Sequence, residues 1–166
     1  MNPETVAQLL EDRVKIDQEM RTRTDKVPFN EWVATDTEST SLVKKIIAEH
    51  GSVTIEKFGK KASNDAWLLV QHSDHDLPFQ KEYLNLMLQN PNSFNAGDIA
   101  YLTDRVKVNS NEPQIYGTQF YLENGVNKPR PTIDPKNINE RRAKIGMDTI
   151  QEYATYWDKV DLSDFE

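Results

Sequence analysis

The sequence predicts a mainly α fold. It reads as a single compact multi-helix domain over residues 1–160, with one small β-hairpin or extended arm at about residues 114–133 and an acidic tail at 161–166. Three observations carry that prediction. Apolar residues recur at helical spacing through most of the chain, capping and stop residues punctuate those stretches, and between Gln114 and Ile133 the composition turns to β-formers broken by turn residues. No long-period repeat or low-complexity tract divides the chain, and 166 residues suit one core.

Each element follows from local signals. Val6, Leu9, Leu10, Val14 and Met20 mark a helix from about Pro3 to Thr22, with Pro28 beyond its end. Asp36 is placed to cap a second helix bearing Leu42, Val43, Ile46 and Ile47, which stops at His50-Gly51. An irregular piece runs to Gly59, and Ser63 then caps a third helix from Asn64 to about His72. Its Ala66-Trp67-Leu68-Leu69-Val70 stretch is apolar on every side and therefore buried. So short an apolar run also fits a buried strand; its helical neighbours favour helix.

Asp76 before Leu77-Pro78 starts a fourth helix with Phe79, Tyr83, Leu86 and Met87, and Asn95 with Asp98 opens a fifth with Ile99, Leu102 and Val106. The run Ile115 to Tyr121 is β-rich, Glu123-Asn124-Gly125 is a turn signal, and Pro129 and Pro131 bar regular helix. Asp134-Pro135 starts a sixth helix that Gly146 stops. Asp148 with Gln151 reads as a capping box for a seventh, which carries Ile150, Tyr153, Ala154 and Trp157.

Twenty basic against twenty-seven acidic residues give a net charge of -7, the wrong sign for non-specific attraction to nucleic acid or anionic lipid. No apolar run has the roughly 20 residues of a membrane span, and Met1-Asn2-Pro3-Glu4 lacks a basic start followed by an apolar stretch. The expectation is a soluble, cytoplasmic protein. With no cysteine there is no disulfide framework, thiolate metal site or thiol nucleophile.

Charges appear where apolar residues belong. At 100° per residue, Arg13, Asp17 and Arg21 fall in the stripe of Val6, Leu10 and Val14, spaced to form an Arg-Asp-Arg chain; Arg141 and Arg142 straddle the Ile138 and Ile145 stripe. Either the arginine stems cover apolar surface while their heads reach water, or the guanidinium forks converge on carboxylates or an anionic ligand.

The densest polar cluster, Gln71-His72-Ser73-Asp74-His75-Asp76, follows the most apolar segment directly. Were the third helix to continue through it, His72 and His75 would share a face with Asp76 one turn on, which permits a metal site. His-x-x-His lacks a third ligand at fixed spacing, however, and Asp76 already serves as a cap. The alternatives are one imidazole held by a carboxylate and working as acid or base, or a structural histidine bonded to a carbonyl. Asp104 projects almost opposite Ile99, Leu102 and Val106. It faces either solvent or a second layer in which it pairs with His72 or an arginine. Tyr116-Gly117-Thr118-Gln119 offers a phenol, a hydroxyl and an amide around a flexible glycine. The Gly-rich phosphate loop, the Gly-x-Ser-x-Gly elbow and His-Glu-x-x-His are all missing.

Taken in order, Ala66-Trp67-Leu68-Leu69-Val70-Gln71-His72-Ser73-Asp74, Ala100-Tyr101-Leu102-Thr103-Asp104-Arg105-Val106, Gln114-Ile115-Tyr116-Gly117-Thr118-Gln119 and Arg141-Arg142-Ala143-Lys144-Ile145-Gly146 form a set. It resembles an uncharacterised bacterial family of unknown function with Q-H-[AS]-D, L-T-D-R and Y-G-T-Q motifs. The resemblance spans about residues 36 to 157 and supplies positions without a reaction: Gln71, His72, Asp74, Asp104, Arg105, Tyr116, Gly117, Gln119, Arg141 and Arg142, with Asp17 and Arg21 also matching. His75 stands outside the signature, and Gly51-Ser52-Val53 replaces the family's Gly-Trp-Pro.

Two functions follow. In the first, a small hydrolase-like enzyme uses His72 as acid or base, with Asp104 or Asp74 orienting the imidazole. Gln71, Arg105, Tyr116, Gln119, Arg141 and Arg142 then bind a small polar or anionic substrate. In the second, the same groups are a structural network, and an acidic surface serves an inhibitor, an immunity-type partner or an adaptor toward a basic protein. Neither reading assigns a cofactor or a metal ligand. Both expect the imidazole, carboxylates and guanidinium groups to meet at one centre.

Overall fold

Helix α1 (Pro3–Thr22) is the helix that the first apolar stripe predicts, its start fixed by Asn2, whose Oδ1 accepts the Thr5 amide proton at 2.8 Å. The computed structural model describes residues 1–165. The chain forms two compact units, Met1–Asn95 and Ala96–Glu166, and is mainly helical with one antiparallel hairpin. Among the described residues no helix is long and apolar enough to cross a membrane.

In the first unit α1 packs against α3 (Ile55–Gln71) and α2 (Phe29–His50), and α3 packs against α4 (Leu77–Gln89). Val6 and Leu10 of α1, Val43 and Ile46 of α2, and Ala66, Leu69 and Val70 of α3 are buried together with Phe79, Tyr83 and Met87 of α4. The apolar run after Ser63 is therefore helix, not strand. Two boundaries differ from expectation. Helix α2 begins seven residues before Asp36, because Pro28 holds the extended geometry of a cap and its carbonyl accepts the Glu31 and Trp32 amides. Asp36 thus sits inside the helix, free to act sideways.

Helix α3 begins with Thr54 as cap instead of Ser63, and absorbs the stretch expected to be irregular by breaking at Gly59 (φ 83°, ψ 160°). It ends at Gln71. His72 is its C-cap, and the turn from Ser73 to Asp76 redirects the chain into α4, so His72 and His75 do not share a helical face. As expected, Asp76 caps α4 through the Phe79 amide, at 3.2 Å.

In the second unit, α5 (Ala96–Asn109) leads through a loop to strands β1 (Phe120–Glu123) and β2 (Val126–Pro129), whose last pair is Glu123↔Val126. Asn124 and Gly125 both have positive φ, the geometry that the turn signal called for. Residues 115–119, though β-rich, lie outside the strands, and Gln114 just before them forms an isolated bridge with Thr132. Helices α6 (Ile138–Ala143) and α7 (Ile150–Ala154) follow. The capping box of α7 is Thr149 with Glu152, one residue beyond the Asp148–Gln151 reading; Asp148 instead gives its carbonyl to Arg142. The end of the chain, expected to be a solvated tail, turns back at Ser163–Phe165, and Phe165 is buried with Ile138, Ile150 and Tyr153.

Candidate functional site

The first unit gathers a histidine, an arginine and two aspartates. Asp17 is fully buried on α1. His72, placed by the end of α3, brings Nδ1 to 2.9 Å from Asp17 Oδ2 and 3.1 Å from Oδ1. One turn along α1, Arg21 donates from Nε to Asp17 Oδ1 at 3.0 Å and from Nη2 to Asp36 Oδ1 at 2.6 Å. Arg13, expected to join the same chain, instead reaches across to α2, where it meets Ser39, Glu38 and the Thr35 carbonyl.

Burial alone pushes the Asp17 carboxyl upward. The hydrogen bonds from His72 and Arg21 and their charges outweigh it, holding Asp17 at about 2. An ionised carboxylate can only accept, so the proton of the His72–Asp17 bond resides on Nδ1. Asp36 goes the other way. Burial, helped by the charge of Asp17, raises its carboxyl against the pull of Arg21 and the two histidines. Two carboxylates sharing one guanidinium are thus driven apart in proton affinity, a pattern that separates fixed charges from proton carriers.

Asp36 is also the link to open space. It lines a pocket of about 560 Å³ with Arg21, Asp74 and His75, while Phe29, Trp32 and Val33 supply an apolar side. The Arg21 guanidinium lies 4.8 Å from the centre of the Trp32 ring. Two buried hydroxyls join α2 to the turn after α3, 2.7 Å apart: Thr40 Oγ1, also 2.8 Å from the Asp36 carbonyl, and Ser73 Oγ, also 2.9 Å from the Leu69 carbonyl. Gln71 is buried and its Oε1 finds no partner among the described residues, whereas Asp74 is exposed and accepts from Gln80 Nε2 at 3.2 Å.

The remaining expected residues lie in the second unit and act on its backbone. Asp104 is fully buried and accepts the Ile115 amide at 2.7 Å, the Tyr116 amide at 3.0 Å, and both the amide and hydroxyl of Thr118 at 3.0 Å. Burial raises its carboxyl, and these donors pull against it without cancelling the rise. The carboxylate on His72 is therefore Asp17, while Asp104 serves the Tyr116-Gly117-Thr118 turn.

Arg142 is 1% exposed, donates to the Tyr116 carbonyl at 2.6 Å and to the Asp148 carbonyl, and lies over the Tyr153 ring. Arg141 takes the Ile115 and Asp134 carbonyls at 3.1 and 2.9 Å. Arg105 donates to Gln119 Oε1 at 3.0 Å, and the Gln119 amide donates to Gln114 Oε1 at 2.8 Å. Side chains that sequence reasoning offered as a substrate cradle here hold one loop. Gly117 sits at its centre, with φ 69° and no room for a Cβ, which would fall 2.6 Å from Ile138 Cδ1.

Sequence reasoning singled out Asp17 and Arg21 but missed Phe29, Trp32 and Val33, and gave Asp36 only a capping role. An available signal was the i, i+3, i+4 spacing of Phe29, Trp32 and Val33, an apolar stripe whose first member is 83% exposed. Among the described residues no group of three or more His, Asp or Glu is arranged to hold a metal ion. No curated protein and no solved structure matches the chain. A family model does match, over residues 8–161, thereby taking in the His72, Asp104 and Tyr116-Gly117-Thr118-Gln119 segments together with Asp17 and Arg21, and the chain belongs to that family, DUF6624, a family of unknown function.

Proposed function

We propose that the protein is a small acid–base enzyme of the hydrolase type, with its reacting centre in the first unit. The observation that carries this reading is the His72–Asp17 pair at 2.9 Å, joined through Arg21 to the pocket carboxylate Asp36. Asp17 fixes the imidazole and its tautomer. His72 Nε2 takes the proton of an attacking water and returns it to the leaving group. Asp36 and Asp74 position a small polar substrate, and the apolar side of the pocket excludes water around it.

The test is a panel of activated esters and amides assayed with the wild-type protein, His72→Gln and Asp17→Asn. Turnover by the wild type, with kcat lowered about 100-fold or more in His72→Gln and a retained circular dichroism spectrum, is the expected result. A folded His72→Gln with unchanged kcat refutes the role of His72.

A second reading rests on the loop around Asp104, whose polar groups are consumed by their own backbone. If the whole polar network is structural, a net charge of -7 suits an inhibitor or immunity-type protein steered to a basic partner. Capture of a basic protein that weakens as salt rises is its expected signature. Failure to capture any partner at low or high salt opposes it.

A further inference from the structure

We infer that the pocket beside Asp36 takes a cationic small molecule with an apolar body, such as a primary amine on an aromatic or branched alkyl stem. This names the substrate class for the enzyme reading above and rests on it for any chemistry, though not for binding.

The argument starts from charge. The pocket is lined by the carboxylates of Asp36 and Asp74, the His75 imidazole and the guanidinium of Arg21, and that guanidinium is already divided between Asp36 and the buried Asp17. An anion entering here would find its only permanent cation engaged and carboxylates facing it. A cation finds acceptors. Arg21 binds Asp36 through Oδ1 alone, and no described residue donates to Oδ2. Asp74, exposed at the turn after α3, supplies a second carboxylate on the same pocket.

The apolar side has the complementary chemistry. Trp32 already accepts one cation, Arg21, against its ring, and Phe29 presents a ring that is 83% exposed. Aromatic faces beside carboxylates are the usual surroundings of a bound ammonium: the rings take the stem and part of the charge, while the carboxylates take the N–H donors. A volume of about 560 Å³ admits a ligand of that size. The expectation from sequence that paired arginines bind an anion finds no counterpart here, since Arg141 and Arg142 are spent on carbonyls of the second unit.

Three probes of equal body and different charge test the inference: 2-phenylethylammonium, 2-phenylethanol and phenylacetate, each titrated while the Trp32 indole N–H is followed by NMR. The expected result is a Kd for the ammonium at least about tenfold below those of the other two, equivalent to one partly desolvated ion pair, with that preference abolished in Asp36→Asn or Asp74→Asn. Should Asp36→Asn fail to fold by circular dichroism, Asp74→Asn decides.

Equal or tighter binding of phenylacetate or phenylethanol, a preference that survives in the folded variants, or no shift of Trp32 with any probe overturns the inference. Preference for the ammonium in a protein that turns over no substrate refutes the enzyme reading alone. Turnover of anionic substrates by a protein preferring phenylacetate refutes the cation pocket alone.

Discussion

Asp17 Oδ2 stands 2.9 Å from His72 Nδ1, although the two residues are 55 positions apart and on different helical segments. The Asp17 carboxylate is buried and accepts from His72, Arg21 and Gln18, so its removal strands three donors at once. Asp17→Asn keeps the volume and loses the charge. It is expected to destabilise the protein by about 3 kcal/mol, as broken buried ion pairs do, read from the midpoint of urea unfolding at pH 7.

The same carboxylate sets an acid limit. Asp17 is held at about 2 against an ordinary 3.8, so the folded protein binds this proton more weakly than the unfolded chain does. The resulting stability, about 2 kcal/mol, is complete above roughly pH 4 and is lost as pH falls toward 2. Asp36 and Asp104, both raised, work in the opposite sense, favouring the fold at low pH and giving that up as pH rises through their folded values. Unfolding free energies of wild type and Asp17→Asn, measured from pH 5 to 2, should therefore converge as the pH falls; parallel curves would show that Asp17 is not the depressed group.

Asp104 organises the loop after α5 by accepting from three amides and a hydroxyl. In Asp104→Asn half of its acceptor capacity becomes an N–H₂ group that faces donors. A loss of about 3 kcal/mol is expected, with hydrogen exchange at the Ile115, Tyr116 and Thr118 amides accelerating more than at the buried amides of α3. Uniform acceleration would instead indicate global destabilisation without a local role.

Gly117 is the second fixed point of that loop. Its φ of 69° disfavours any side chain, and a Cβ would meet Ile138 Cδ1 at 2.6 Å and Ile150 Cδ1 at 3.0 Å. Gly117→Ala is expected to cost about 2 to 3 kcal/mol through backbone strain and overpacking. The companion Ile138→Val removes the nearest methyl carbon and should recover part of the loss, so a double-mutant cycle in thermal unfolding with no coupling counts against the contact.

What the sequence made legible follows the range of the forces. The start of α1, the Asp76 cap, the Asn124-Gly125 turn and the stop at Gly146 (φ 72°) are set by neighbours within four residues, and each could be read directly. The early start of α2 was hidden because Pro28 caps through backbone geometry, with no side-chain hydrogen bond at the cap. Asp17 and Arg21 stood out as charges in an apolar stripe, yet nothing local told which imidazole or second carboxylate they would meet. Arg142 was visible beside the Ile138 and Ile145 stripe for the same reason, and Asp104 only through the motif it belongs to. Their partners are mostly carbonyls and amides, which every residue carries, and a backbone partner leaves no trace in residue identity.

The two buried hydroxyls that join α2 to the turn after α3 carry a constraint of proton arithmetic. Thr40 and Ser73 own one hydrogen each, yet three oxygen contacts are within reach: the Asp36 carbonyl, the Leu69 carbonyl and each other. At any instant one of the three must go without, and the two hydrogens cannot both point inward, so when one hydroxyl turns toward the other, the second keeps to its own carbonyl. The helix backbone that carries Asp36 and the turn that begins at Ser73 thereby share one pair of rotors whose inward settings exclude each other.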